Sequence, residues 1–365
     1  MANYSQKLAN MRTRRQGLDS SAALNKSESS YTTDSANFTE AYESRGKTEA
    51  IKYALGAMQE LEAKYTKISI EEGDRVREQL RTGLSNAGIP VTFEYQGSVP
   101  LNIHIRFSSD IDLLVLHDAF VTVDWSGPRA HTYSVRQGSL LEDILELRQT
   151  CELILEDKFP AVNVDKKGAI SIALSGGSLR RKVDVVPSHW HDTTSYQQSF
   201  AKHDREVRVL NKFESRMIAN QPFLYMKKIE DKDQRTAGGT KKAIRLLKNI
   251  KKDSTNEIKL TSYDIAALIW QMNDNTLNKP YYLELSLVAE VQKHLQFLVD
   301  NPVYAQTLDV PDQSRKILDT ADKLRSLKIL KIEVDELALD IAHEIGPIIN
   351  NVDYVQKRLM EALIF

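Results

Sequence analysis

Residues Gln96–Leu116 read QGSVPLNIHIRFSSDIDLLVL. The last four, Leu113-Leu114-Val115-Leu116, are apolar without alternation. That is the pattern of a central strand covered on both faces. Directly before them stands Asp110-Ile111-Asp112. On a strand, residues i and i+2 share a face, so the two carboxylates are expected side by side. Two ionised carboxylates that close repel unless a cation neutralises them, and hard oxygen ligands suit Mg²⁺ or Mn²⁺. The competing reading of an Asp-x-Asp is a polar strand end or a turn. Placement before a buried strand argues for the site, because unpartnered charge is costly there.

A third acid, Asp184, is embedded in Lys182-Val183-Asp184-Val185-Val186-Pro187. By itself it also reads as a buried acid paired with a nearby arginine. If its strand runs beside the first, three carboxylates converge. Such a set can hold two divalent ions about 3.5–4 Å apart, clamping the attacking and leaving oxygens of an in-line phosphoryl displacement. Gly97-Ser98 lies 13 positions (110 − 97) ahead of the Asp pair. Glycine lets backbone N–H groups approach a phosphate closely, and a serine hydroxyl can bond its oxygens.

Working outward, residues 47–84 carry helical spacing, with Ile51, Ala54, Leu55, Met58 and Leu61 in one run and Glu71 to Leu84 in a second. Strands are predicted at Val91–Tyr95, Ile111–Leu116, Val162–Val164, Ile170–Leu174 and Lys182–Val186, and a helix over Leu140–Phe159, with Cys151 as a small core residue on it. The second half is helical in pattern: Thr240–Lys252, Ser262–Met272, Tyr281–Leu298, Ser314–Leu327, Val334–Ile345 and Pro347–Ile364. The fold class is therefore α+β: a mixed-sheet lobe, then a helical lobe, with an N-terminal helix bracing both. The expected divisions are a polar arm over 1–46, a core over 47–225 and a helical lobe over 226–365. The arm reads either as loosely docked chain or as a basic segment for a polyanion or partner.

Residues 226–252 hold ten Lys/Arg against three Asp/Glu. On a wheel, Ala243, Leu246, Leu247 and Ile250 share one face, and Lys241, Arg245, Lys248 and Lys252 the opposite one. The second face reads either as a solvated face or as a cationic wall for a triphosphate. Downstream, Thr261-Ser262-Tyr263 offers a hydroxyl at a helix start and an aromatic able to stack on a base. His189 and His191 lack further Cys or His partners nearby for zinc, and His104 is expected to shape its loop. No hydrolase elbow or Walker A spacing is present.

Composition sets the outer limits. The 365 residues carry 49 Lys+Arg and 50 Asp+Glu, a net charge of -1, which excludes a globally basic binder but not a local basic cleft. One cysteine excludes an internal disulfide framework. No apolar run reaches the roughly 20 residues of a membrane span. A cytoplasmic protein without membrane contact is expected.

Gly-Ser, Asp-x-Asp before an apolar strand, and a distant third Asp on another strand together resemble the polymerase-β-like nucleotidyltransferase superfamily. Within it, the chain looks most like the CD-NTases, the cyclic GMP-AMP synthase/DncV-like enzymes of bacterial antiphage (CBASS) signalling. The likeness rests on residues 95–113 and 183–187, on Ile244-Arg245-Leu246-Leu247-Lys248 and on Thr261-Ser262-Tyr263. It implies a two-lobed palm with a helical C-terminal lobe and an enzyme that condenses nucleoside triphosphates, ATP among them, into a cyclic di- or trinucleotide. Asp110, Asp112 and Asp184 would be the catalytic, metal-binding acids, for Mg²⁺ or Mn²⁺. Gly97, Ser98, Arg245, Lys248 and Ser262 would hold the donor triphosphate, and Tyr263 would stack on its base. Companion CBASS regulators and a cyclic-nucleotide effector would be partners, and no double-stranded DNA is expected. Where relatives often carry a Thr after Gly-Ser, this chain has Leu101-Asn102-Ile103. A linear oligoadenylate synthase, another nucleotidyltransferase on the same fold, and a non-catalytic nucleotide sensor are the competing readings.

Overall fold

A computed structural model describes residues 4–16, 40–106, 108–347 and 351–365. The chain starts with helices α1 (Tyr4–Gln16), α2 (Ala41–Arg45), α3 (Glu49–Met58) and α4 (Ala63–Asn86). Strands β1 (Val91–Gln96) and β2 (Ile111–Val123), helix α5 (Leu140–Lys158), and strands β3 (Asn163–Asp165), β4 (Ile172–Ser175) and β5 (Val183–Asp192) follow. Next come α6 (Thr194–Ser199), β6 (Glu206–Asn211), β7 (Arg216–Asn220), α7 (Pro222–Arg235), α8 (Gly239–Asp253) and α9 (Ser262–Trp270). The last are α10 (Asp274–Leu277), α11 (Ser286–Asp300), α12 (Pro302–Thr307), α13 (Ala321–Ile345) and α14 (Val352–Glu361).

The strands form one mixed sheet, ordered β1-β2-β5-β4-β3, with β6 pairing the outer half of β5 and β7 pairing β6. Strands β2 and β5 run parallel, and β1 and β4 flank them antiparallel. The apolar run of β2 is buried on both faces as its composition requires. Leu113 and Val115 join Val76, Leu80 and Leu84 of α4 and Ile144 and Leu147 of α5 in one cluster. Leu114 and Leu116 turn the other way, onto Trp190, Val207 and Phe223. Cys151 lies buried in the first of these clusters.

A second core unites α1 and α3 with the C-terminal helices: Tyr4, Leu8 and Met11 are buried with Ala243, Leu246, Leu337 and Ile341. Residues 4–16 are thus a packed helix, not loose chain. Arg14 bonds Asp253 at 2.8 Å and Lys7 bonds Glu333 at 2.7 Å, so its basic residues are spent on internal acids. Residues 1–3 and 17–39 of the polar stretch lie outside the described residues. Helix α3 packs into the helical core and α4 against the sheet, so the chain crosses between the lobes at residues 59–62.

Further expectations differ from what is found. The helices expected at Ser314–Leu327 and Val334–Ile345 are one continuous α13, starting only after the Thr320 cap. Residues 328–333 contain no Gly or Pro to break it, and Leu330 is buried. Helix α14 begins at Val352, and residues 348–350 of the expected Pro347–Ile364 helix lie outside the described residues. The β6–β7 hairpin and α7 were not foreseen. The hairpin turn contains no Gly or Pro; Asn211 Oδ1 accepts from the N–H groups of Phe213 and Glu214, and Ser215 takes the left-handed conformation at φ 49°. No described helix is long and apolar enough to cross a membrane.

Candidate active site

The parallel pairing of β2 with β5 sets Asp112 directly opposite Asp184. Neighbouring strands lie about 4.8 Å apart, so the two acids share one patch of sheet surface. Asp110 lies one step before β2, and the backbone N–H of Ile111 bonds the carbonyl of Lys182, which puts Asp110 level with Lys182. The Lys182 ammonium stands between two of the acids, 2.8 Å from Asp110 Oδ2 and 3.8 Å from Asp184 Oδ1.

The crowding has an electrostatic consequence. The Asp112 carboxyl is pushed up to about 7, first by burial and then by Asp184 and Asp110. Burial, with Asp110 adding to it, also raises Asp184. Asp184 Oδ1 is buried without a hydrogen-bond partner. Among the described residues no three His, Cys, Asp or Glu side chains close into a ready-made metal cage. The donor set still fits a hard divalent cation: three carboxylates on one surface, one of them with a buried oxygen that lacks a hydrogen-bond partner, and two of them raised by crowding and burial that added positive charge would ease.

Over Asp110 and Asp112 opens a cavity of about 380 Å³; Asp184 is not among the residues lining it. Asp110 and Asp112 line it together with Gly97, Ser98, Lys248, Ser262 and Tyr263. Gly97 has φ +83°, and a Cβ there would stand 2.3 Å from Asp112 Oδ2. Only glycine lets the backbone pass so close to the acid. The loop after it turns back on itself, with Ile103 N–H bonding Ser98 carbonyl at 3.1 Å. Leu101 and Ile103 are buried in the helical core, so the two residues flanking Asn102 anchor the loop across the lobe boundary.

Helix α8 grips the same loop. Lys248 Nζ donates to the Ile103 carbonyl at 2.7 Å; its ammonium is buried and pushed down to about 7 by that burial, with Lys251 and Arg245 contributing. Arg245, expected to bind triphosphate, faces elsewhere. Its guanidinium donates to the carbonyls of Met58 (2.7 Å) and Asn102 (2.9 Å), and it is not among the residues lining the cavity. Of the two readings of the face that carries Arg245 and Lys248, the solvated one does not hold, since they are 6% and 4% exposed. Helix α8 is covered on both sides, and backbone carbonyls supply the partners its buried cations need.

Helix α9 begins with a capping box between Thr261 and Asp264, which places Ser262 and Tyr263 at the mouth of the cavity. Tyr263 stacks on Tyr225 with ring centroids 4.0 Å apart and an interplanar angle of 19°, and its hydroxyl donates to Asp312 at 2.6 Å. Further lining residues that the sequence reading did not single out include Gln96, Ser108, Ser109, Asn220, Pro222 and Tyr225. Gln96 was legible as the residue before Gly97, and pairs in register with Asp112. Asn220 and Tyr225 carry no motif; they arrive with the unforeseen hairpin and α7. His191 is bonded to Thr122 and Asp124, and His189 to the Trp190 carbonyl, so neither is arranged for zinc.

Comparison with known proteins follows the same lines. Residues 227–332 match the model of the cGAS/DncV-like nucleotidyltransferase C-terminal helical domain. The chain is 40% identical over 316 residues to the cyclic dinucleotide synthase CdnE of Yersinia aleksiciae, covering 86% of this chain and 82% of that protein. Among solved structures it resembles the STING-associated CdnE c-di-GMP synthase of Capnocytophaga granulosa, with TM-score 0.72, 26% identity, and coverage of 94% of this chain and 100% of that one. A STING-associated CdnE c-di-GMP synthase from Flavobacteriaceae sp. shares the fold, with TM-score 0.77, 23% identity and coverage of 94% and 99%.

Proposed function

The chain belongs to the cGAS/DncV-like nucleotidyltransferases, and from that premise we propose that the cavity lined by Asp110 and Asp112, with Asp184 beside them on the sheet, joins two nucleoside triphosphates into a cyclic dinucleotide. The protein is a nucleotidyltransferase acting on nucleoside triphosphates, of the kind that makes cyclic oligonucleotides. The observation that carries the site assignment is the register of Asp112 against Asp184, with Asp110 alongside.

In the proposed chemistry a ribose hydroxyl of one nucleotide attacks the α-phosphorus of the other. The new O–P bond forms as the bond to the β-phosphate breaks, and pyrophosphate leaves. The hydroxyl proton passes to a carboxylate of the site. A second round in the opposite sense closes the ring. Mg²⁺ or Mn²⁺, held by Asp110, Asp112 and Asp184, would supply the positive charge that offsets the triphosphate and the developing oxyanion. The Gly97 backbone and Ser98 hydroxyl lie on the wall where donor phosphates are expected, and Lys248 and Ser262 line the same cavity. The Tyr225–Tyr263 stack gives a base a flat surface at the mouth. Arg245 acts at one remove, by holding Asn102.

The c-di-GMP relatives make GTP the first triphosphate to test beside ATP. A role in cyclic-nucleotide signalling, with companion regulators and an effector, belongs to the same reading. The full-length protein with all four triphosphates and Mg²⁺ or Mn²⁺ should yield a phosphatase-resistant dinucleotide by mass spectrometry. A product that phosphatase trims would be linear and would overturn ring closure.

A further inference from the structure

Lys182 stands among the acids, and the sequence reading assigns it no role. It lies two residues before Asp184, on the same side of its strand, and level with Asp110 on the neighbouring strand. Its ammonium bonds Asp110 Oδ2 at 2.8 Å and lies 3.8 Å from Asp184 Oδ1, while its side chain keeps 42% of its surface in solvent. A point charge on a flexible, hydrated stem can withdraw into water, which a buried arginine fork cannot do at similar cost. Lys248, also near Asp112, is engaged with the Ile103 carbonyl, which leaves Lys182 as the mobile cation of the group.

We propose that Lys182 is a built-in counter-cation of the acidic site: it bridges Asp110 and Asp184 when no divalent ion is bound, and gives up that place when one binds. Lys182 is therefore a positioning residue. It holds three mutually repelling carboxylates in register before metal arrives, and competes with the metal for the same oxygens. The site then fills at a divalent concentration set by both the acids and the lysine. The proposal rests on the reading that Asp110, Asp112 and Asp184 hold the metal.

The test uses the full-length protein and MnCl₂ alone, with free Mn²⁺ followed by its paramagnetic resonance signal and melting followed in EDTA. Lys182→Met should bind Mn²⁺ roughly tenfold more tightly than the wild type, because the competing charge is gone. It should also melt lower in EDTA and recover more on adding Mn²⁺. Lys182→Arg keeps the charge and should stay near wild-type affinity. The half-exposed position makes misfolding of either variant a minor concern, and the EDTA melt shows whether each has folded. Equal or weaker Mn²⁺ binding by Lys182→Met overturns the competitor role, while the metal-site reading stands if Asp184→Asn loses Mn²⁺. If neither the wild type nor Lys182→Met binds Mn²⁺, the metal-site reading falls and Lys182 with it.

Discussion

The Lys248 ammonium donates to the Ile103 carbonyl at 2.7 Å, tying a helix of the C-terminal lobe to the loop that carries Gly97 and Ser98. Arg245, one turn earlier, takes the neighbouring Asn102 carbonyl at 2.9 Å and the Met58 carbonyl at 2.7 Å. The loop that carries Gly97 and Ser98 into the cavity wall is thus held from the helical lobe.

Replacing Asp184 by Asn should separate stability from activity. The acid is raised by burial and by Asp110, and its neighbour Asp112 is raised in part by Asp184. Removing one charge should stabilise the metal-free fold by about 1 kcal/mol at pH 8 while lowering nucleotidyl transfer about a hundredfold or more. Urea melts in EDTA and product formation from labelled triphosphates are the two measurements. A variant that keeps full activity would remove Asp184 from the site.

Gly97→Ala and Gly88→Ala form a matched pair. Both glycines have positive φ, +83° and +73°, so each substitution should cost about 1 kcal/mol of stability. Nothing lies within 4 Å of a Cβ at Gly88, whereas at Gly97 it meets Asp112 Oδ2 at 2.3 Å. Only Gly97→Ala should lose activity, by displacing Asp112 or the loop. Equal activity loss in both would point to general destabilisation instead.

Tyr263→Ala removes half of the aromatic stack and leaves Asp312 without the tyrosine hydroxyl. Stacking on a base is worth about 1–3 kcal/mol, so KM for the triphosphates should rise roughly 5- to 150-fold, with kcat changed less. Tyr263→Phe keeps the ring and should lie close to wild type. A pure kcat effect in the alanine variant would place the base elsewhere.

Three histidines should make the fold acid-sensitive. His104, His189 and His294 are each lowered from 6.5 to about 4, chiefly by burial. A lowered histidine stays neutral in the folded state while the unfolded chain takes up the proton. Its contribution is whole above pH 6.5 and is lost as pH falls toward 4, at up to about 1.4 kcal/mol per pH unit for each group. Denaturant midpoints should fall from pH 7 to pH 5, and His294→Gln should make that slope shallower. A slope unchanged by the substitution would remove His294 from the account.

The strands of the palm, the run of helices after it and the three acids were legible because they follow local rules. A doubly buried strand shows as an uninterrupted apolar run, a helix shows its 3.6 period, and an acid inside an apolar run stands out. The burial of Arg245 and Lys248 was not legible because a helical wheel opposes one face to another and cannot say that both are covered. The segment at 4–16 was misjudged because its basic residues looked free; their partners Asp253 and Glu333 are far along the chain. Asn220 and Tyr225 were missed because nothing local marks a residue that reaches the cavity through a hairpin with an unmarked turn.

What the sequence determined by itself was the identity of the chemical groups: acids at 110, 112 and 184, glycine and serine at 97 and 98, an aromatic at 263. Tertiary structure decided which of them meet. The parallel register of β2 and β5 brings Asp112 opposite Asp184 and sets Lys182 between two acids, and α8 and α9 close the cavity from the far end of the chain. Local propensity fixes what a segment is, but strand register and lobe packing depend on contacts between distant segments, which no window of sequence contains.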